Sequence, residues 1–122
     1  MKNVLIVEDD FASRLALELS LREQFNVVSL SELSDIDALF DKQHIDIVLM
    51  DIHLRESEVD GVQIMNFLKK KYPESKTSYI AVTGYAMPND KERFLEHGFD
   101  GYLAKPVDFP TLPAYLANIQ PL

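Results

Sequence analysis

Apolar and polar positions follow two periods along the chain, and the period switches at regular intervals. "NVLIV" (3–7) is a continuous apolar run rich in β-branched residues, which suits a strand buried on both faces. "FASRLALELSLREQF" (11–25) then places Ala12, Leu15, Ala16 and Leu19 at helical spacing. "NVVSL" (26–30) reads as a second strand, and "SDIDALFDKQ" (34–43) as a short helix with Ser34 at its N-cap. "IDIVLM" (45–50) is the third and most apolar strand. "GVQIMNFLKKKY" (61–72) stacks Ile64, Met65 and Leu68 on one helical face and stops ahead of Pro73. "YIAVT" (79–83) predicts strand four, "PNDKERFLEHG" (88–98) a helix closed by Gly98 at its C-terminal cap, and "GYLAK" (101–105) strand five. Leu112, Tyr115, Leu116 and Ile119 form a last helical stripe, whose regular part Pro110 and Pro113 hold to a start near residue 110.

Five strand–helix units with apolar strands predict an α/β fold, a doubly wound parallel sheet covered by helices on both faces. A chain of 122 residues without repeat, linker or low-complexity tract suits one domain over 1–122. Ligands in such sheets sit beyond the C-terminal strand ends, near the point where strand order reverses.

Composition narrows the function. No apolar run approaches the roughly 18 residues that span a bilayer. The apolar start of "MKNVLIVEDD" meets acids at once, as a first strand does and a signal peptide does not. The absence of Cys excludes disulfides, thiolate metal sites and thiol nucleophiles, and accords with a reducing cytoplasm. Twelve Lys and Arg against twenty Asp and Glu leave a net charge of -8, which argues against nucleic-acid binding. The basic run Lys69–Lys71 lies at a helix end, where it complements the helix dipole.

The chemistry lies in the acids that end two apolar strands. "VLIVEDD" delivers Glu8, Asp9 and Asp10, and "IVLMDIHL" delivers Asp51. Strands one and three are neighbours in a doubly wound sheet, so Glu8, Asp9 and Asp51 are expected at one rim. Two such charges about 5 Å apart repel by roughly 3 kcal/mol at an effective dielectric near 20. Either one acid holds a proton or a cation sits among them, and an all-oxygen set suits Mg²⁺. Thr83 and Lys105 end strands four and five at the same rim. A carboxylate, a divalent cation, an ammonium and a hydroxyl are what a phosphoryl group needs, and Asp51 is then a candidate nucleophile. Asp10 is expected to begin the loop into the first helix, where an acid suits the N-terminus.

Taken together, "LIVEDD", "IVLMDIHL", "IAVTGYA" and "GYLAKP" resemble the receiver domain of two-component response regulators over essentially the whole chain. The resemblance implies a (βα)5 flavodoxin-like fold with strand order 2-1-3-4-5. It implies Asp51 as phosphoacceptor, Asp9 as a direct Mg²⁺ ligand, Glu8 as a ligand through water, and the backbone carbonyl of His53 as a further ligand. It implies Thr83 as the switch hydroxyl, Lys105 as the cation that pairs with the phosphoryl group, Tyr102 as the aromatic that rotates with Thr83, and a cis bond before Pro106. The implied partners are a histidine kinase or histidine phosphotransfer protein and an output protein at the helix-four, strand-five, helix-five face. Nucleic acid and membrane are not among them.

"DIHLRESEVDG" departs from the family pattern, with Arg55 where Pro is common and Gly61 ten residues past Asp51. A two-residue insertion in the loop before helix three is the expectation, with Glu56, Glu58 and Asp60 on a solvated detour. The side chain of His53 is expected to overhang the site and to modulate water access. Tyr85 is expected to shield the acyl phosphate, and Gly84 to let the neighbouring loop move. His44 and His97 read as surface residues. The chain ends soon after helix five, as a stand-alone receiver or a piece of a hybrid kinase does. Two rivals are a haloacid-dehalogenase-type phosphatase, which normally has an acid where His53 stands, and an unphosphorylated interaction module on the same fold.

Overall fold

A computed structural model of the chain describes residues 1–52, 55–84 and 88–119, with the backbone alone at 55–57. The strands are β1 (Asn3–Val7), β2 (Asn26–Leu30), β3 (Ile47–Ile52), β4 (Ser78–Thr83) and β5 (Gly101–Ala104). The helices are α1 (Phe11–Leu21), α2 (Ile36–Lys42), α3 (Arg55–Lys71), α4 (Asp90–His97) and α5 (Leu112–Asn118). All four strand pairings are parallel, as the apolar strand pattern predicts, and the order is β2-β1-β3-β4-β5, as the family resemblance implies.

Successive strand residues point to opposite faces, so each apolar strand feeds two cores. Val4, Ile6, Leu49 and Val82 pack on one side with Leu17 and Leu21 of α1 and Leu112 and Leu116 of α5. Leu5, Val48, Met50 and Ala81 pack on the other side with Phe40 of α2, Met65 of α3 and Phe94 of α4. Continuous burial along β1, β3 and β4 is therefore the signature of a sheet sandwiched between helices.

Element boundaries depart from the sequence reading in instructive ways. α1 stops at Leu21, four residues early, and buried Phe25 leads the chain into β2. Ser34 is no helix N-cap: it lies in a 3₁₀ turn (Leu33–Asp35), and Asp35 precedes α2. β3 runs on through Asp51 and Ile52, because these residues pair with Val82 and Thr83 of β4.

The largest departure is at α3, which begins at Arg55 and not at Gly61. Residues 55–60, expected as a loop, are helical, and Gly61 sits in the helix interior. A Cβ at Gly61 would stand 2.7 Å from Sδ of Met50, so the missing side chain lets α3 approach β3. That packing offsets the roughly 1 kcal/mol by which Gly disfavours a helix interior.

Candidate functional site

β1 and β3 are adjacent, and the residues that end them meet at the C-terminal rim of the sheet. Val7 pairs with Met50, which carries Glu8 and Asp51 to the same level of neighbouring strands. Glu8 is 1% exposed although ionisable, Asp51 keeps only 4% of its side chain exposed, and Asp9 is exposed. One carboxylate oxygen from each of Glu8, Asp9 and Asp51 lies within 4.8 Å of the other two. Asp10 stands apart from this cluster, because its carboxylate accepts the Ser13 N–H at 2.9 Å and caps α1.

Lys105 follows β5 directly, and its N–H donates to the Thr83 carbonyl at 2.8 Å, which holds the segment against β4. Its ammonium stands 2.6 Å from Oδ1 of Asp51 and 3.4 Å from Oε2 of Glu8. The Lys105–Pro106 bond is cis, as the family resemblance implies. Thr83 closes β4 opposite Ile52 and is 1% exposed, one residue along from the Asp51–Val82 pair. Tyr102 lies half-buried on β5, its ring stacked on Phe94 at 5.6 Å and its hydroxyl donating to Oδ2 of Asp90 across 3.5 Å.

Electrostatics follow from this crowding. Burial pushes the Glu8 carboxyl up to about 7, and neighbouring Asp51 adds to the rise through a shared hydrogen bond and its charge. The Asp10 N–H, donating at 3.0 Å, and the Lys105 ammonium pull the other way. Burial pulls Lys105 down, but its hydrogen bond to Asp51 and the charges of Asp51 and Glu8 reverse this and hold the ammonium above its ordinary value.

The donor set fits Mg²⁺. It is all oxygen, it carries several carboxylates, and Asp9 opens to water, which a reluctantly dehydrating ion retains. Oxygens about 2.0–2.1 Å from one ion stand at most about 4.2 Å apart. A spread of up to 4.8 Å is thus within a side-chain adjustment. Lys105 already neutralises part of the same charge.

The rim therefore gathers Glu8, Asp9, Asp51, Thr83 and Lys105, with Tyr102 further back along β5. His53, with its carbonyl and side chain, and Tyr85 lie outside the described residues. His44 pairs with Asp46 at 2.9 Å, away from the rim, as a surface residue does. Glu58 overturns the expectation of a solvated detour. It is buried to 9% exposure, and Arg93 of α4 grips both of its oxygens at 2.9 and 3.1 Å. His97 stands 3.4 Å from the same carboxylate, so it too has a partner. One signal for this was legible: Glu58, Val62 and Met65 are spaced by four and three, as on one helical face.

A family profile described as response regulator receiver domain matches residues 4–117. The polar-differentiation response regulator DivK of Brucella ovis is 33% identical over 123 residues, covering 96% of this chain and 98% of the relative. Chemotaxis protein CheY4 of Vibrio cholerae superposes with a TM-score of 0.82 at 21% identity, over 98% of both chains. A CheY-like receiver domain protein from Methanospirillum hungatei gives 0.78 at 28% identity, over 96% of this chain and 91% of that one.

Proposed function

The chain belongs to the response regulator receiver domain family of two-component signalling, and from that premise we propose that Asp51 accepts a phosphoryl group from a phosphohistidine. The donor is a sensor kinase or a phosphotransfer protein, and the whole chain, 1–122, acts as one phosphorylation-controlled switch. The observation that carries this reading is the Lys105 ammonium, 2.6 Å from an Asp51 oxygen that shares its rim with Glu8 and Asp9.

A carboxylate oxygen of Asp51 attacks phosphorus, the P–N bond to the donor imidazole breaks, and an acyl phosphate remains on Asp51. Lys105, whose ammonium stands at an Asp51 oxygen, exchanges that contact for the phosphoryl oxygens. Thr83 supplies a hydroxyl donor from the adjacent strand. Glu8, Asp9 and Asp51 would hold Mg²⁺, which supplies neutralisation of the phosphoryl oxygens. When Thr83 turns to the phosphoryl group, Tyr102 follows, and α4, β5 and α5 present a changed face to an output protein. A ligand shifts such an equilibrium only through its unequal affinity for the two states, and here Thr83 and Lys105 provide it. Within this reading the chain is a phosphoacceptor in the cytoplasm, not a turnover enzyme.

Incubation with a small phosphodonor and Mg²⁺ tests the proposal. One phosphoryl group per chain, stable to acid, labile to base and lost in Asp51→Ala, is the expected result. Repeated release of phosphate would point to a phosphatase, and no uptake would point to an inert interaction module.

A further inference from the structure

Glu58 belongs to a charged network that joins α3 to α4 and ends at Tyr102. Seven residues past Asp51, on the first turns of α3, its carboxylate takes both arms of the Arg93 guanidinium, Nη2 at 2.9 Å and Nε at 3.1 Å. The third nitrogen of Arg93, Nη1, reaches Oδ1 of Asp90 at 2.7 Å, and the other oxygen of Asp90 accepts from Tyr102. The guanidinium also lies over Phe94, 4.9 Å from its centroid, and Phe94 is the ring on which Tyr102 stacks. Glu58 and Asp90 are both buried, so these bonds are shielded from solvent in a way that ordinary surface pairs are not. Arg93 is held firmly cationic, first by its hydrogen bonds to Glu58 and then by Asp90.

We infer that Glu58 is a positioning residue that, through Arg93 and Asp90, latches α4 and Tyr102 in the arrangement described and so opposes the switch. α3 follows the phosphoacceptor strand and α4 follows the strand of Thr83, so the fork ties together the two helices that leave the rim. Any movement of Tyr102 with Thr83 must break its bond to Asp90, and Asp90 is fixed by an arginine whose other partner sits on α3. Interactions present in only one of two states favour that state, and the favoured state resists a ligand that prefers the other. This inference rests on the reading of Asp51 as phosphoacceptor.

Titration of the full chain with beryllofluoride, a mimic of the phosphoryl group, at fixed Mg²⁺ tests it. Glu58→Gln keeps the shape of the side chain and removes its charge. It is expected to bind the mimic about fivefold more tightly than wild type, the low end of common coupling strengths. Arg93→Gln should behave alike, and the double variant should gain no more than the stronger single, because both break one latch. Mg²⁺ alone should bind Glu58→Gln within about twofold of wild type, and α4 amides should exchange faster while those of β1 and β3 do not. Unchanged or weaker mimic binding, additive single effects, or an equal gain for Mg²⁺ alone would overturn the latch while leaving the phosphoacceptor in place. A wild-type chain that takes up neither mimic nor phosphoryl group would overturn both.

Discussion

At Glu8 a single carboxyl records the conflict that the rim sets up. Buried beside Asp51, it holds its proton up to about 7, against an ordinary value of 4.5. Between these values the folded chain binds more proton than the unfolded chain does. Stability from this group is therefore fully present below about pH 4.5 and is lost as pH rises through about 7. Each pH unit between the two values corresponds to about 1.4 kcal/mol, so the change is at most about 3 kcal/mol. Urea unfolding without divalent cation at pH 5 and pH 8 should show wild type losing stability relative to Glu8→Gln over that interval. Parallel curves for the two proteins would assign the proton elsewhere. On the proposed function, Mg²⁺ binding at this rim would displace the same proton, so its affinity should rise over the same interval, with proton uptake by buffer in calorimetry as the sign.

At the scale of the element, α3 shows where a sequence is legible and where it is not. Strand runs such as "IVLM" declare themselves because apolar residues buried on both faces leave few alternatives, and the acids that follow are placed by topology alone. The start of α3 is different. Gly61 reads as a boundary because Gly disfavours helix interiors, and its true cause is the Met50 side chain across the interface, which no local pattern reveals. Three acids before it read as solvated because charged residues usually are, and the burial of Glu58 depends on Arg93 thirty-five residues away. Gly61→Ala makes the cause measurable. The helix gains about 1 kcal/mol in propensity, while a methyl group 2.7 Å from Sδ of fully buried Met50 overpacks the interface by about 1–3 kcal/mol. A net loss near 1 kcal/mol in chemical unfolding is expected in wild type. In a Met50→Val background, where the sulfur is gone, the same substitution should become neutral or stabilising.

Across the whole molecule, the sheet gathers its acids and Lys105 at one rim, the proposed output face lies at its β5 edge, and β4 adjoins both. Its last residue, Thr83, pairs with Ile52, the residue after Asp51, and its next helix, α4, packs on β5 through Phe94 and Tyr102. Acceptance of a phosphoryl group and transmission of that event should then be separable. On the proposed function, acceptance draws on Asp51, Lys105 and the acids that follow β1. Transmission, on the same proposal, draws on the Thr83 hydroxyl, because only a bond formed in the phosphorylated state can displace the resting arrangement. Thr83→Ala should accordingly take up phosphoryl group from a small donor to the same final stoichiometry as wild type. Its Tyr102 ring resonances and α4 amides should stay close to their unphosphorylated positions, whereas those of wild type move. The buried position makes a folding control necessary, and Thr83→Ser, which keeps the hydroxyl, should restore most of the spectral change. Equal movement of Tyr102 in wild type and Thr83→Ala would place the link elsewhere, with Lys105 and its backbone bond to Thr83 as the remaining bridge from the rim to β5.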